Sequence, residues 1–445
     1  MFRARTLALG FPLLTAFSCS SAPVAAPPAG WLAPAGLPAE DVILLAAGEP
    51  VNLPDSPQTL TAPEAVTLAL RHSPLLQADL ARLRAAMAEA EQTHLLPNPL
   101  LTVALRLPEA GGGAEWDLGL SGALTSLLNR PGRQRAADAR VHAAAATALE
   151  TAFAEMEATR IAHARAVEQE ALVPLRLRQE EIAMEILRRT RQRRSAGEAG
   201  TSEERGAEHA AARATAEANR AHVAARAARL ELSARIGSPG GAADWSLTPV
   251  GLPGPLLTDE DWIRAAAERN PSVERARWLA LAEQEEAAIA GAIVREGLEA
   301  GAVAEKEAEW SAGPAISVPI PIFDDGTSRR HLAAAEATTA AHLLVAAQRS
   351  AQAETRAFWE GFRAALSRRE DLLKREIPPL VALLETAKSA ALAGEVSPAD
   401  VLRAEDALLT ARASALLVEL EAHLAFARLL RSAGGLPQTH QPAAR

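Results

Sequence analysis

The sequence predicts a mainly α-helical protein with a small β part, laid out as two copies of one long helical hairpin. Hydrophobic residues make up 49% of the 445 residues, while aromatics reach only 3% and tyrosine is absent. Ala-rich segments laced with Arg and Glu then pack as helices through small side chains. Residues 132–197 and 326–394 are almost continuously helical in pattern. At about 1.5 Å per residue each span reaches about 100 Å, which no compact domain requires. The third observation is a repeat: Ala65-Val66-Thr67-Leu68-Ala69-Leu70-Arg71-His72-Ser73-Pro74 recurs as Trp262-Ile263-Arg264-Ala265-Ala266-Ala267-Glu268-Arg269-Asn270-Pro271, with the prolines 197 positions apart (271 − 74). Trp116 and Gly132 match Trp310 and Gly326 at an offset of 194; Gly197 and Gly237 match Gly394 and Gly434 at 197 again. A short insertion accounts for the change.

The N-terminus reads as an export signal: Arg3 and Arg5 form a positive start, residues 6–17 a short apolar core, and small residues follow. Ala16-Phe17-Ser18-Cys19 resembles a bacterial lipobox, in which the cysteine thiol is acylated and becomes the first residue of the mature chain; cleavage near Ala22 or Ala26 is the alternative. Cys19 is the single cysteine, so no internal disulfide can form. One acyl chain anchors weakly, and stable attachment needs a second membrane contact. No stretch of the mature chain reaches 18 uncharged apolar residues, so a membrane crossing would require a closed barrel. The formal charge of -9, with acidic and basic residues interspersed, leaves no basic stripe for a phosphate backbone and sets nucleic acid aside as a partner.

Within each copy the expected order is helix, two strand-like runs, a very long helix, a glycine turn and a returning helix. The first helix spans 63–95, opened by Thr61 as N-cap with Glu64 three residues on and Pro63 in its first turn. Residues 98–107, with Leu101, Val103, Leu105 and Leu107 alternating, and residues 115–124, with Trp116, Leu118 and Leu120 alternating, have the length of tilted membrane strands. Gly111-Gly112-Gly113 supplies the turn between them. The second copy offers 292–304 and 310–320 around a charged Glu305-Lys306-Glu307 turn. Trp116 and Trp310 then hold equivalent strand ends, where an aromatic girdle sits in a membrane barrel; a soluble sheet with core tryptophans is the alternative. The opening and returning helices are each about half a long helix, so stacked end to end they match one. Pro174 and Pro378-Pro379 are expected to kink or interrupt the long helices, and Leu402, Leu409 and Leu416 step by heptads.

This arrangement resembles the TolC-like outer membrane efflux protein family. The resemblance rests on Pro319-Ile320-Pro321-Ile322-Phe323-Asp324-Asp325-Gly326, on Pro131-Gly132-Arg133, and on Gly394-Glu395-Val396-Ser397-Pro398-Ala399-Asp400-Val401-Leu402-Arg403-Ala404-Glu405, which is similar to the family's helix-turn-helix tip. It covers about residues 55–436. It implies a homotrimer in which four strands per protomer complete a twelve-stranded barrel in outer-membrane lipid, with the helices forming a periplasmic tunnel. With the export signal and Cys19 read above, it divides the chain into a signal peptide over 1–18, an acylated linker and equatorial part over 19–60, a first repeat over 61–237 with its helical hairpin at 133–236, an equatorial linker over 238–257, a second repeat over 258–436 with its hairpin at 327–432, and a tail over 437–445. Gly197 and Gly394 would mark the tips at which a periplasmic adaptor (membrane fusion) protein and an inner-membrane efflux transporter, of the RND type, dock. Asp400 matches a family aspartate at the narrow periplasmic entrance; Arg403 stands where a second aspartate is usual, so a charged Asp400–Arg403 gate is expected. The segment Gly313-Pro314-Ala315-Ile316-Ser317-Val318-Pro319 is nearest the heavy-metal branch.

An enzyme is not expected. The ten histidines are scattered and one cysteine builds no zinc site; Gly119-Leu120-Ser121-Gly122 lacks nucleophile-elbow spacing, and no phosphate-binding glycine loop is present. No cofactor or metal is expected. A periplasmic coiled-coil scaffold lipoprotein and the duct of a type I protein secretion system are the alternatives, with metal ions, drugs and polypeptides all open as cargo.

Overall fold

The computed structural model describes residues 59–107, 114–240, 243–252, 257–291, 298–306, 309–320 and 322–436. The signal segment, Cys19, the 111–113 turn and the 437–445 tail lie outside the described residues.

Each copy opens with two helices rather than the single one expected over 63–95. Helix α1 is Ala62–His72 and α2 is Pro74–His94. The break is chemical: Pro74 has no N–H to donate and pushes Ser73 out of the helical region, to φ -72 and ψ 113. Ser73 Oγ then accepts from Leu76 N at 3.2 Å and caps α2. Thr61 and Glu64 form the expected reciprocal cap on α1. The second copy repeats the device, with α5 (Asp259–Arg269) ending at Asn270 and α6 (Pro271–Ala290) beginning at Pro271.

Helix α3 runs unbroken for 72 residues, Leu124–Ser195, or about 108 Å. It begins ahead of Pro131-Gly132-Arg133 and passes through Pro174 without the interruption that proline would allow. Gly132 instead lets α6 come close, because a Cβ there would lie 2.3 Å from Ile289 Cγ2. The matching Gly326 is left-handed (φ 74) and caps α7, Thr327–Asp371. That helix passes through a π-helical turn, Leu372–Glu376, into α8, Ile377–Ala393. The widened turn lies just before Pro378-Pro379, which supply no N–H to a regular ladder. The returning helices α4 (Thr201–Arg235) and α9 (Pro398–Ser432) are 35 residues each.

Half-length helices stack end to end along the long ones: α1, α2 and α4 pack on α3, and α5, α6 and α9 on α7. The joints are duplicated. Gly237, past the end of α4, has φ +89, and a Cβ there would meet His72 Cβ at 2.5 Å; Gly434, past α9, has φ +68 and would meet the Arg269 carbonyl oxygen at 2.2 Å. Small residues make the long seams, with Ala148, Ala152, Ala162 and Ala166 of α3 all buried, while an aromatic group of Trp262, Trp359, Phe362 and Phe426 fills the second copy's joint.

The strands form two sheets. A short parallel pair, β1 (Thr59–Leu60) with β4 (Ser246–Leu247), had no sequence signal at two residues each. The other sheet is antiparallel in the order β2 (Leu100–Arg106), β3 (Glu115–Ala123), β5 (Glu299–Lys306), β6 (Trp310–Ser317). Glu305 and Lys306, expected in a turn, are ladder members opposite Ser311 and Trp310. Residues 292–297, expected as strand, fall outside the described residues. β6 stops at Ser317 because Pro319 cannot donate to a continuing ladder.

Candidate functional site

Register sorts the four-stranded sheet into two unlike faces, since directly paired residues point to one side and alternate residues to the other. One face carries Leu101–Leu120–Ala302–Pro314 and Val103–Leu118–Ala304–Ala312 as cross-strand rows, ending in Leu105–Trp116–Lys306–Trp310. It is apolar and open: Leu101 is 65% exposed and Ile316 72%. The opposite face carries Arg106, Glu115, Asp117, Glu299 and Glu305 among Gly, Ala, Ser and Thr, with Leu100 and Val303 its larger apolar residues. A concavity of about 260 Å³ lies along it, lined by Thr102, Asp117, Ser121, Glu299 and Glu305. Arg106 Nη2 pairs with Asp117 at 2.6 Å and Ser121 Oγ donates to Glu299 at 2.9 Å. Trp116 and Trp310 thus share a face and a row, brought together on either side of Lys306.

The helical end carries two glycine tips. Gly197 (φ 81) and Gly394 (φ 78) are both left-handed. Each closes its helix in the same way, with Glu198 N donating to Arg193 O and Glu395 N to Ala390 O, 2.8 and 2.9 Å. A Cβ on either would point into open space. Behind the first tip Arg193 pairs with Glu203 at 2.7 Å and Arg191 with Glu208 at 2.9 Å.

Asp400 and Arg403 meet at 2.7 Å on the exposed face of α9. Asp400 also has a second role: Ser397 N and Oγ donate to its Oδ2 at 3.1 and 2.7 Å, the reciprocal cap of α9. Those Ser397 bonds, and then Arg403, hold its carboxyl below the usual carboxylate range. Ser397-Pro398-Ala399-Asp400 has the spacing of such a cap, a signal open to sequence reading. A pair that the sequence does not flag ties the two hairpins together: Arg178 of α3 donates from Nε and Nη2 to both oxygens of Glu405 on α9, at 2.7 and 3.0 Å. Beside it Gln179 donates to Asp406 at 2.9 Å and to Thr410 at 3.0 Å.

Midway along the long helices, buried His163 of α3 holds the short parallel sheet and half-buried His423 of α9 holds the segment just after β4. His163 is fully buried, its Nε2 donating to Leu60 O at 3.2 Å; His423 hydrogen-bonds the Val250 backbone. Burial pushes both imidazoles down. Among the described residues no group of three His, Cys, Asp or Glu side chains is placed to hold a metal, and no helix is long and apolar enough to cross a membrane.

No protein-family model matches the chain, nor does any curated protein sequence. Solved structures do match. The outer membrane protein VceC of Vibrio cholerae aligns over 85% of this chain and 97% of its own at 18% identity, with a TM-score of 0.69. The CmeC outer membrane channel of Campylobacter jejuni aligns over 85% and 86% at 15% identity and a TM-score of 0.66. The open state of the MtrE outer membrane channel of Neisseria gonorrhoeae aligns over 84% and 89% at 16% identity and 0.64. The chain has the fold of the TolC-like outer membrane efflux proteins. That TolC-like fold puts the four-stranded sheet at one end of the long helices and the Gly197 and Gly394 tips at the other.

Proposed function

We propose that the protein is the outer-membrane channel of a tripartite efflux pump, a passive duct and not an enzyme. The observation that carries this is the two-faced sheet with open edges. One face is apolar and exposed, the other polar and concave, and β2 and β6 each leave one edge unpaired. A sheet of four such strands is a liability in water and one third of a barrel in lipid. Three protomers meeting edge to edge give twelve strands, close every edge and turn the polar face into a lumen. The likeness to outer membrane channels supports that assembly.

The rest of the reading follows the same geometry. The long helices continue the lumen through the periplasm, the 197 and 394 tips meet the adaptor and an RND-type transporter, and Cys19 is acylated, with the barrel as the second anchor. The Arg178–Glu405 contact between the hairpins keeps the periplasmic end narrow until docking moves them apart, and the Asp400–Arg403 pairs of three protomers together ring the entrance. Cargo is selected by the transporter, among metal ions, drugs and polypeptides. Outer-membrane fractionation with heat-modifiable migration on a gel tests the reading: a trimer that migrates differently once boiled is expected. A chain recovered from the membrane with no heat-dependent species would favour the scaffold lipoprotein.

A further inference from the structure

We infer that the Trp116–Lys306–Trp310 row is a binding site for a phosphate-bearing glycolipid headgroup of the outer leaflet. The inference rests on the channel reading, which turns the apolar face of the sheet toward lipid.

Lys306 is paired directly with Trp116 on one side and Trp310 on the other, so all three side chains leave the sheet on the apolar face. Every other charge of the described strands, namely Arg106, Glu115, Asp117, Glu299 and Glu305, is in alternate register and points to the lumen side. Lys306 is therefore the one cation on a face that is otherwise Leu, Val, Ile, Ala, Gly, Pro and Trp among the described residues. It makes no ion pair among them, and its Nζ lies over an aromatic face, 5.9 Å from the Trp310 ring centroid. A lysine is unfavourable on a lipid face at the bilayer middle and nearly free of cost at the boundary. Its position matches the boundary: Lys306 is the last paired residue of β5, in the row next to both hairpin connections. The helices leave from the opposite end, α3 directly after Ala123 and α7 beyond Ser317. With the helices in the periplasm, this row faces the outer leaflet.

The chemistry of the row selects its ligand. Lys306 offers a compact positive charge, and the two indoles flanking it offer N–H donors and flat apolar surface. An anion fits between them and a quaternary ammonium does not. A phosphate monoester on a sugar headgroup supplies that anion at the depth of an interfacial tryptophan, with acyl chains lying down the Leu and Ala rows below. The overall charge of -9 makes the site local, since no general basic surface would gather such lipids.

The test uses the full-length protein purified as an assembled trimer, with bis-phosphorylated lipid A and its enzymatically dephosphorylated form as probes and native mass spectrometry as the readout. Wild type should retain up to three phosphorylated molecules per trimer and the dephosphorylated form about tenfold more weakly, as expected for loss of a charge-assisted contact. Lys306→Ala should bind both forms at the weaker level. Lys306→Arg should keep the preference, and Lys374→Ala, on the remote π-helical turn, should behave as wild type. Equal retention of the two lipids by wild type, or an unchanged preference in Lys306→Ala, overturns the site and leaves the row as an ordinary girdle. A wild-type protein that yields no heat-modifiable trimer overturns the channel reading, and the site with it.

Discussion

Arg178→Ala removes a two-point contact between the first hairpin and the second, and its effect on channel opening can be sized from the geometry. Both Glu405 oxygens are engaged, at 2.7 and 3.0 Å, while the Arg178 side chain is 45% exposed and that of Glu405 26%. Half-exposed pairs contribute about 0.2–1 kcal/mol, and bidentate geometry places this one near the top of that range. The bonds to Glu405, then to Glu181, raise the Arg178 pKa above its ordinary value, so the guanidinium stays charged throughout. If three protomers open together, losing about 1 kcal/mol in each shifts the open-to-closed ratio on the order of a hundredfold. Open probability in planar lipid bilayers reads this directly. Arg178→Ala and Glu405→Ala should each raise it, and the double variant should add little. Asp400→Asn separates the other contact, because it keeps an oxygen for the Ser397 cap while removing the charge opposite Arg403. Unchanged open probability for Arg178→Ala and Glu405→Ala in intact trimers would show that neither hairpin is held by this pair.

Leu118→Arg places a charge in the middle of the apolar face and should destabilise the assembled barrel by about 2–4 kcal/mol; trimer yield in outer-membrane fractions checks it, and a neutral result would mean the face is misassigned. Gly434→Ala and Gly237→Ala should each lower the temperature at which the trimer dissociates, because both lose a left-handed glycine at about 1 kcal/mol and add a clash with a fixed atom, the Arg269 carbonyl oxygen or His72 Cβ. His163 and His423 give a pH dependence of definite sign. Their folded pKa values lie below the ordinary 6.5, so the unfolded chain binds more protons as pH falls below that value, and stability present above about 6.5 is lost toward the folded values. Thermal unfolding between pH 7.5 and 5.5 should show this, and His163→Gln should flatten the slope.

The long helices and their duplication were legible because small-residue periodicity and glycine landmarks are local signals repeated in order. The two-faced strands were legible too, since Leu118 and Leu120 alternate with polar or small residues whatever the partner strand. Helix breaks are not legible from proline positions. Ser73-Pro74 splits a helix because the serine can cap the next one, whereas Pro174 is absorbed within a helix supported on several sides by its neighbours. Neither outcome is set by proline alone. Lys306 sits in a charge run of the kind that marks turns, and only the ladder shows it paired between two tryptophans. Arg178 and Glu405 are 227 positions apart, so nothing local could join them.

The central claim is that this chain assembles into a lipid-embedded duct, and conductance of the purified full-length protein in planar bilayers tests it most directly. Stepwise current increments are predicted from trimer fractions, lost on boiling, with their open probability raised by Arg178→Ala. Folded, heat-modifiable trimers that insert yet pass no current with Arg178→Ala, Glu405→Ala and Asp400→Asn combined would contradict it.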